Sequence, residues 1–232
     1  MEMERRVLPK SETQFRVLTE EDGKSYLEGT AIVFNKRSAN LGWRDYKVYE
    51  IISPDACNGA RMDEIICKFN HDINEVLGTT WAGTLTYEIT PNEVRYKVEL
   101  PLDTETGRKV KVLAERGDLR GNSFEFMPAE NGMLWREEVE DGEKVNIVTI
   151  TQFEGVYDFA PVMRPAYPDT NDSISVSKRT LDSFNEFRAQ LEKPTPDKET
   201  PKKVDPRVRQ IQLDHNLLTP ENKQNGSNTS NG

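Results

Sequence analysis

Residues 83–101, GTLTYEITPNEVRYKVELP, decide the fold class. Val94, Tyr96, Val98 and Leu100 fall on one side of an extended chain while Arg95, Lys97 and Glu99 take the other, the alternation of a half-buried strand. Leu85, Tyr87 and Ile89 repeat the pattern just upstream and Pro91-Asn92 supplies the turn, so the stretch reads as a β-hairpin. Working outward, the same period predicts strands over 13–19, 25–34, 46–52, 64–70, 121–127, 133–139, 145–153 and 156–162. Two helices interrupt them. Ser53 is a cap followed by Pro54 at the first helical position, opening 54–60. Thr104 caps a second helix to about Arg116, with Val110, Leu113 and Ala114 on one side and Gly117 placed to end it. Many short strands and few helices on one core predict an α+β protein built around a β-barrel or sandwich.

The chain has 232 residues, with 31 Lys+Arg against 40 Asp+Glu, a formal charge of −9. That length suits one domain of about 150 to 200 residues plus extras. The composition changes near residue 180. Five of the 13 prolines lie beyond it, and the chain finishes in an Asn/Ser/Gly string from Gln224, so residues 193–232 read as a disordered tail. Between the two, Leu181, Phe184, Phe187 and Leu191 have helical spacing, predicting an amphipathic helix over 181–192. It docks either on the core or on a partner. Residues 1–12 form an arm ahead of a 13–180 domain. The acidic balance argues against nucleic-acid binding. No run of 18 apolar residues and no secretory leader is visible, which predicts a soluble, unsecreted, intracellular protein without a membrane partner.

Only two histidines and two cysteines are present, so the search for chemistry is short. Cys57 and Cys67 form no C-x-x-C and no zinc set, which predicts neither metal nor cofactor. Cys67 cannot pair with His71 as nucleophile and base, because four residues of strand separate their Cα atoms by about 13 Å. His215 lies in the tail. His71 shares strand parity with Ile65, Cys67 and Phe69; a lone histidine there is more often a hydrogen-bonded structural residue than a base. In Gly121-Asn122-Ser123-Phe124-Glu125-Phe126, the alternation sends the aromatics to one face and Ser123 with Glu125 to the other. If the aromatics pack inward, the hydroxyl faces outward, within reach of a substrate. This is not the hydrolase nucleophile elbow, since Glu125 stands where that motif needs glycine.

An ordered set of short strings then carries a resemblance. It runs from Leu27-Glu28-Gly29-Thr30-Ala31 and Phe34-Asn35 through Tyr49-Glu50, Asn70-His71-Asp72, Val76-Leu77-Gly78, Glu99-Leu100-Pro101 and Arg116-Gly117-Asp118-Leu119 to Gly121-Asn122-Ser123-Phe124, Ala160-Pro161-Val162 and Pro165-Ala166-Tyr167-Pro168. Their succession over 27–170 resembles the tailed-bacteriophage prohead maturation serine proteases, a family similar in fold to the herpesvirus assemblins. The resemblance implies an assemblin-like β-barrel with a few helices. It matches His71 to the catalytic histidine and Ser123 to the nucleophile, and its register places Asp158 as third member, with Glu154 as competitor on the same strand face. Asp158 stands where the family usually has glutamate, and Glu125 where it usually has glycine. Arg164 and Glu125 are implied as oxyanion or cleft residues. The implied function is a serine endopeptidase that cuts scaffolding protein, or the scaffold segment of the major capsid protein, and itself. It would act inside the procapsid in the host cytoplasm and is compatible with a homodimer. The rival reading is an inactive capsid-assembly protein that keeps the fold.

Overall fold

The computed structural model describes residues 3–9, 13, 15–41, 46–163 and 177–192. Among these the strands are β1 (Glu4–Pro9), β2 (Arg16–Thr19), β3 (Ser25–Val33), β4 (Lys47–Ile52), β5 (Ile66–Lys68), β6 (Val76–Thr79), β7 (Leu85–Ile89), β8 (Glu93–Glu99), β9 (Gly121–Pro128), β10 (Met133–Glu140), β11 (Glu143–Ile150) and β12 (Phe153–Val162). The helices are α1 (Glu105–Arg116), between β8 and β9, and α2 (Lys178–Leu191), after β12. The fold is therefore α+β. Contacts group residues Met1–Gln190 into one unit. Of the second, Leu191–Gly232, only 191 and 192 are described, so the expected tail lies outside the described residues.

The hairpin forms as its alternation dictates. β7 and β8 pair antiparallel with Leu85 opposite Val98 and Tyr87 opposite Tyr96. Val94, Tyr96 and Val98 are buried, but on β7 only Leu85 is, because β7 is the outer strand of its sheet. That sheet has the order β2-β3-β8-β7; a second has β10-β11-β4, and a third β1-β9-β12-β5-β6. The expected barrel does not close among the described residues. Backbone bonds from Asn35, Ser38 and Leu41 to β4 carry the chain that leaves β3 onto the second sheet, and side chains join the sheets elsewhere. Tyr96 stacks on Phe159 across two of them at 5.5 Å, while Phe124, Phe126 and Phe153 fill the centre.

Both predicted caps hold. Thr104 Oγ1 accepts from the Gly107 N–H at 3.1 Å, and Gly117 ends α1 in the left-handed region with φ 76°. Gly107 is needed for contact: a Cβ there would lie 2.2 Å from the Pro101 carbonyl oxygen. Ser53 caps as expected, but the predicted 54–60 helix is a single 3₁₀ turn, Pro54–Cys57, and the chain turns away at Gly59 with φ 74°. α2 begins three residues before its predicted start, and Thr180 N–H bonds to Ser177 Oγ at 3.3 Å. Its Phe184 lies against Trp135 and Tyr46, with ring centroids 4.9 and 5.2 Å apart, so the helix packs on this chain's own strands.

The N-terminal arm contributes β1, which runs antiparallel along β9 with Val7 opposite Ser123 and Arg5 opposite Glu125. On the other side of β9 lies β12, with Ala160 opposite Ser123 and Asp158 opposite Glu125. β12 is in turn parallel to β5, with Asp158 opposite Ile66. This register sets the site.

Candidate active site

β9 is buried at every position. Phe124 and Phe126 point into the core, so Ser123 and Glu125 share the opposite face with Asp158 and Ala160 of β12. The outward, accessible hydroxyl expected for Ser123 is not what forms. Ser123 is 0% exposed on a strand flanked by β1 and β12, and its Oγ donates to the Arg6 carbonyl of β1 at 2.8 Å. Diagonal neighbours across an antiparallel pair lie about 7 to 8 Å apart at Cα, which puts Ser123 within side-chain reach of groups around Asp158.

His71 arrives there by a turn rather than by strand parity. β5 stops at Lys68, and a 3₁₀ turn over Phe69–His71 follows in which Asn70 and His71 both take positive φ, 52° and 63°. Asparagine and histidine visit that region more readily than most residues, yet each still costs about 1 to 3 kcal/mol that surrounding contacts must offset. One such contact is Asn70 Oδ1, which accepts the Met163 N–H at 3.0 Å and ties the turn to the end of β12. The turn brings His71 Nδ1 to 2.7 Å from Asp158 Oδ2, with both side chains buried. In the neutral ring this contact assigns the proton to Nδ1 and leaves the lone pair on Nε2. Nε2 is buried and finds no hydrogen-bond partner among the described residues, as does Asp158 Oδ1. Histidine and aspartate are thus assembled. The serine lies on the neighbouring strand with its hydroxyl turned to Arg6.

Glu154, the competing carboxylate, is four residues up β12, partly exposed, and bonded to Arg179 at 2.8 Å. Glu125 does not line an open cleft. Its Oε1 is 3.6 Å from His71 Nδ1 and it forms an ion pair with Arg5. Arg164 and His215 lie outside the described residues. One member was not foreseen: Lys68, whose Nζ is 3.0 Å from Asp158 Oδ2 and 3.6 Å from Glu125 Oε2. Its alternation with Cys67 reads as an ordinary strand face. The available signal was the acidic side chain at position 125, which needs cations if it is buried.

Burial pushes the Asp158 carboxyl up, and the His71 hydrogen bond and Lys68 only partly oppose it. Burial also works against Glu125, but there Arg5, His71 and Lys68 outweigh it and hold the carboxyl below its ordinary value. Burial drives the Cys67 thiol well above its usual range and that of Cys57 up to about 12, so neither is a thiolate nucleophile. His71, Glu125 and Asp158 offer ligand atoms within 4.8 Å of one another, the spacing of a metal site. Lys68, however, already sets its charge against both carboxylates, as Arg5 does against Glu125.

A protein-family model described as caudovirus prohead serine protease matches residues 12–187, a span that contains His71, Ser123 and Asp158 and leaves out β1. No curated protein and no solved structure matches the chain.

Proposed function

The chain belongs to the caudovirus prohead serine protease family, and from that premise we propose that it is a serine endopeptidase with Ser123 as nucleophile, His71 as general base and Asp158 as the residue that orients it. The observation that carries this reading is the 2.7 Å contact of His71 Nδ1 with Asp158, which leaves Nε2 as a base without a partner among the described residues, beside the strand bearing Ser123. For reaction, Ser123 Oγ turns from the Arg6 carbonyl to Nε2. Oγ attacks the scissile carbonyl carbon as its proton passes to His71, a transfer that contributes about 10² to 10⁴ in rate. The imidazolium, stabilised by Asp158, gives that proton to the departing amine. Water then repeats the sequence on the acyl-enzyme.

The substrates in this reading are scaffolding protein or the scaffold segment of the major capsid protein, and the enzyme's own tail, cut inside the procapsid. Family membership supports capsid or scaffold proteins as targets. The sequence beyond residue 192 is proline-rich, a composition of the kind that proteases cut at little unfolding cost, which supports self-cleavage there. A second reading, an inactive assembly protein with this fold, draws on the buried Ser123 hydroxyl engaged by Arg6. Fluorophosphonate labelling separates the two. The parent protein is expected to label at Ser123 and to lose tail residues on standing, whereas Ser123→Ala does neither. Tail loss at equal rate in Ser123→Ala, with no labelling of the parent, would leave the inactive reading in its place.

A further inference from the structure

Glu125 and Asp158 face each other across the β9–β12 ladder, in a pocket where both side chains are at most 10% exposed. Two carboxylates so placed repel each other and lack water to screen them. Lys68 reaches both from β5, on the far side of β12, with its own side chain 12% exposed. Arg5, from β1 on the opposite flank, touches Glu125 alone. The cations therefore divide the work. Arg5 seats the Glu125 side chain, and Lys68 joins that side chain to the carboxylate holding His71.

We propose that Lys68 is a positioning residue of this site, bridging Asp158 and Glu125 so that His71 meets a compensated pair of anions. The inference rests on the reading of His71 as general base, but its test does not require activity. The groups facing His71 are Asp158 from β12, Glu125 from β9 and Lys68 from β5, with Arg5 behind Glu125. Asp72, next in the chain, bonds instead to Asn74. Cys67 and Tyr96, buried near Asp158, are held neutral by that burial. With Lys68 in place the two cations balance the two anions. Without it, His71 faces an excess negative charge and holds its proton more tightly.

The experiment is an NMR titration of the imidazole nitrogens in the full chain carrying Ser123→Ala, which removes self-cleavage. Only two histidines are present, so His215 serves as the internal reference. Lys68→Met is expected to raise the His71 titration by about one to two pH units, the usual effect of one charge at this range. Adding Glu125→Gln should return it most of the way, and Lys68→Arg should leave it within about half a unit, well inside the range of a single-charge effect. His71 unmoved in folded Lys68→Met protein overturns the proposal. If Lys68→Met does not fold, Glu125→Gln alone decides: with the lysine charge no longer offset, His71 must titrate lower, and an unchanged or higher value rejects the idea. In the active protein the acid limb of the pH–rate profile, where His71 takes up its proton, should follow the same order. Shifts as expected without peptidase activity in any form would count against the protease reading and leave the role of Lys68 standing.

Discussion

Arg5 and Arg6 are neighbours in β1, yet they anchor two different buried clusters on opposite faces of the strand. Arg6 bonds Glu50 through Nε and Nη2 at 2.8 and 2.7 Å and Glu4 at 2.6 Å. Glu4 in turn accepts from Ser177 Oγ at 2.7 Å and from Thr180 at the start of α2. Each carboxylate oxygen of Glu4 and Glu50 has a donor. Burial works against the Arg6 charge, but Glu50 and Glu4 outweigh it and hold the guanidinium protonated. The Arg5 cluster joins Glu125, Lys68, Asp158 and His71, and here two buried atoms, His71 Nε2 and Asp158 Oδ1, lack partners among the described residues. A saturated cluster stiffens a fold. An unsaturated one at comparable burial retains atoms that can engage a substrate or a moving proton.

The largest test of that contrast is at β12. Asp158→Asn should lower turnover by about 10⁴ while the protein stays folded, since the histidine loses the partner that sets its tautomer. Glu154→Gln should leave turnover unchanged, because that carboxylate pairs with Arg179 at the surface. Equal losses in a capsid-protein cleavage assay would dissolve the distinction between the two ends of the strand. Next come the two arginines. Arg6→Ala strands buried Glu4 and Glu50, and urea unfolding should register a loss of about 3 to 5 kcal/mol. Arg5 is about one-third exposed, so Arg5→Ala should cost only about 1 kcal/mol, with its main effect on activity. Matching stability losses would show the clusters to be alike.

The smallest effect concerns acid. Glu125 titrates below its ordinary value in the folded protein, so it adds stability at neutral pH that is lost as pH falls through its folded value. Asp158 is pushed the other way, and acidification relieves its cost. Glu125→Gln should therefore lose less stability than the parent between pH 7 and pH 4, read from urea midpoints. A steeper loss in the variant would reverse the assigned sign.

What the sequence could disclose follows from range. The β7–β8 hairpin and the Thr104 and Gly117 ends of α1 are written in neighbouring residues and were legible. So was the division of β9 into an aromatic and a polar face. β1 was not, because Glu-Arg-Arg reads as solvated until partners 44 and 120 residues away neutralise it. β6 is only four residues long and offers little alternation to detect. The turn at Asn70-His71 looked like a continuing strand, since positive φ at two non-glycine residues has no reliable local signature. Ser123, His71 and Asp158 came from ordered resemblance, whereas Lys68 could be seen only once β5 lay beside β12.

The bond from Glu4 to Ser177 spans 173 residues of chain. At ribosomal speeds of about 5 to 20 residues per second, roughly 10 to 35 s separate the synthesis of the two ends of that contact. In the last part of that interval, once β9 has been made, β1 can lie along it without the clasp that later fastens it at α2. The surroundings of Ser123 are thus among the last parts of the domain to set, so a nascent chain already past Asp158 carries His71, Ser123 and Asp158 before it carries the clasp that fixes their flank.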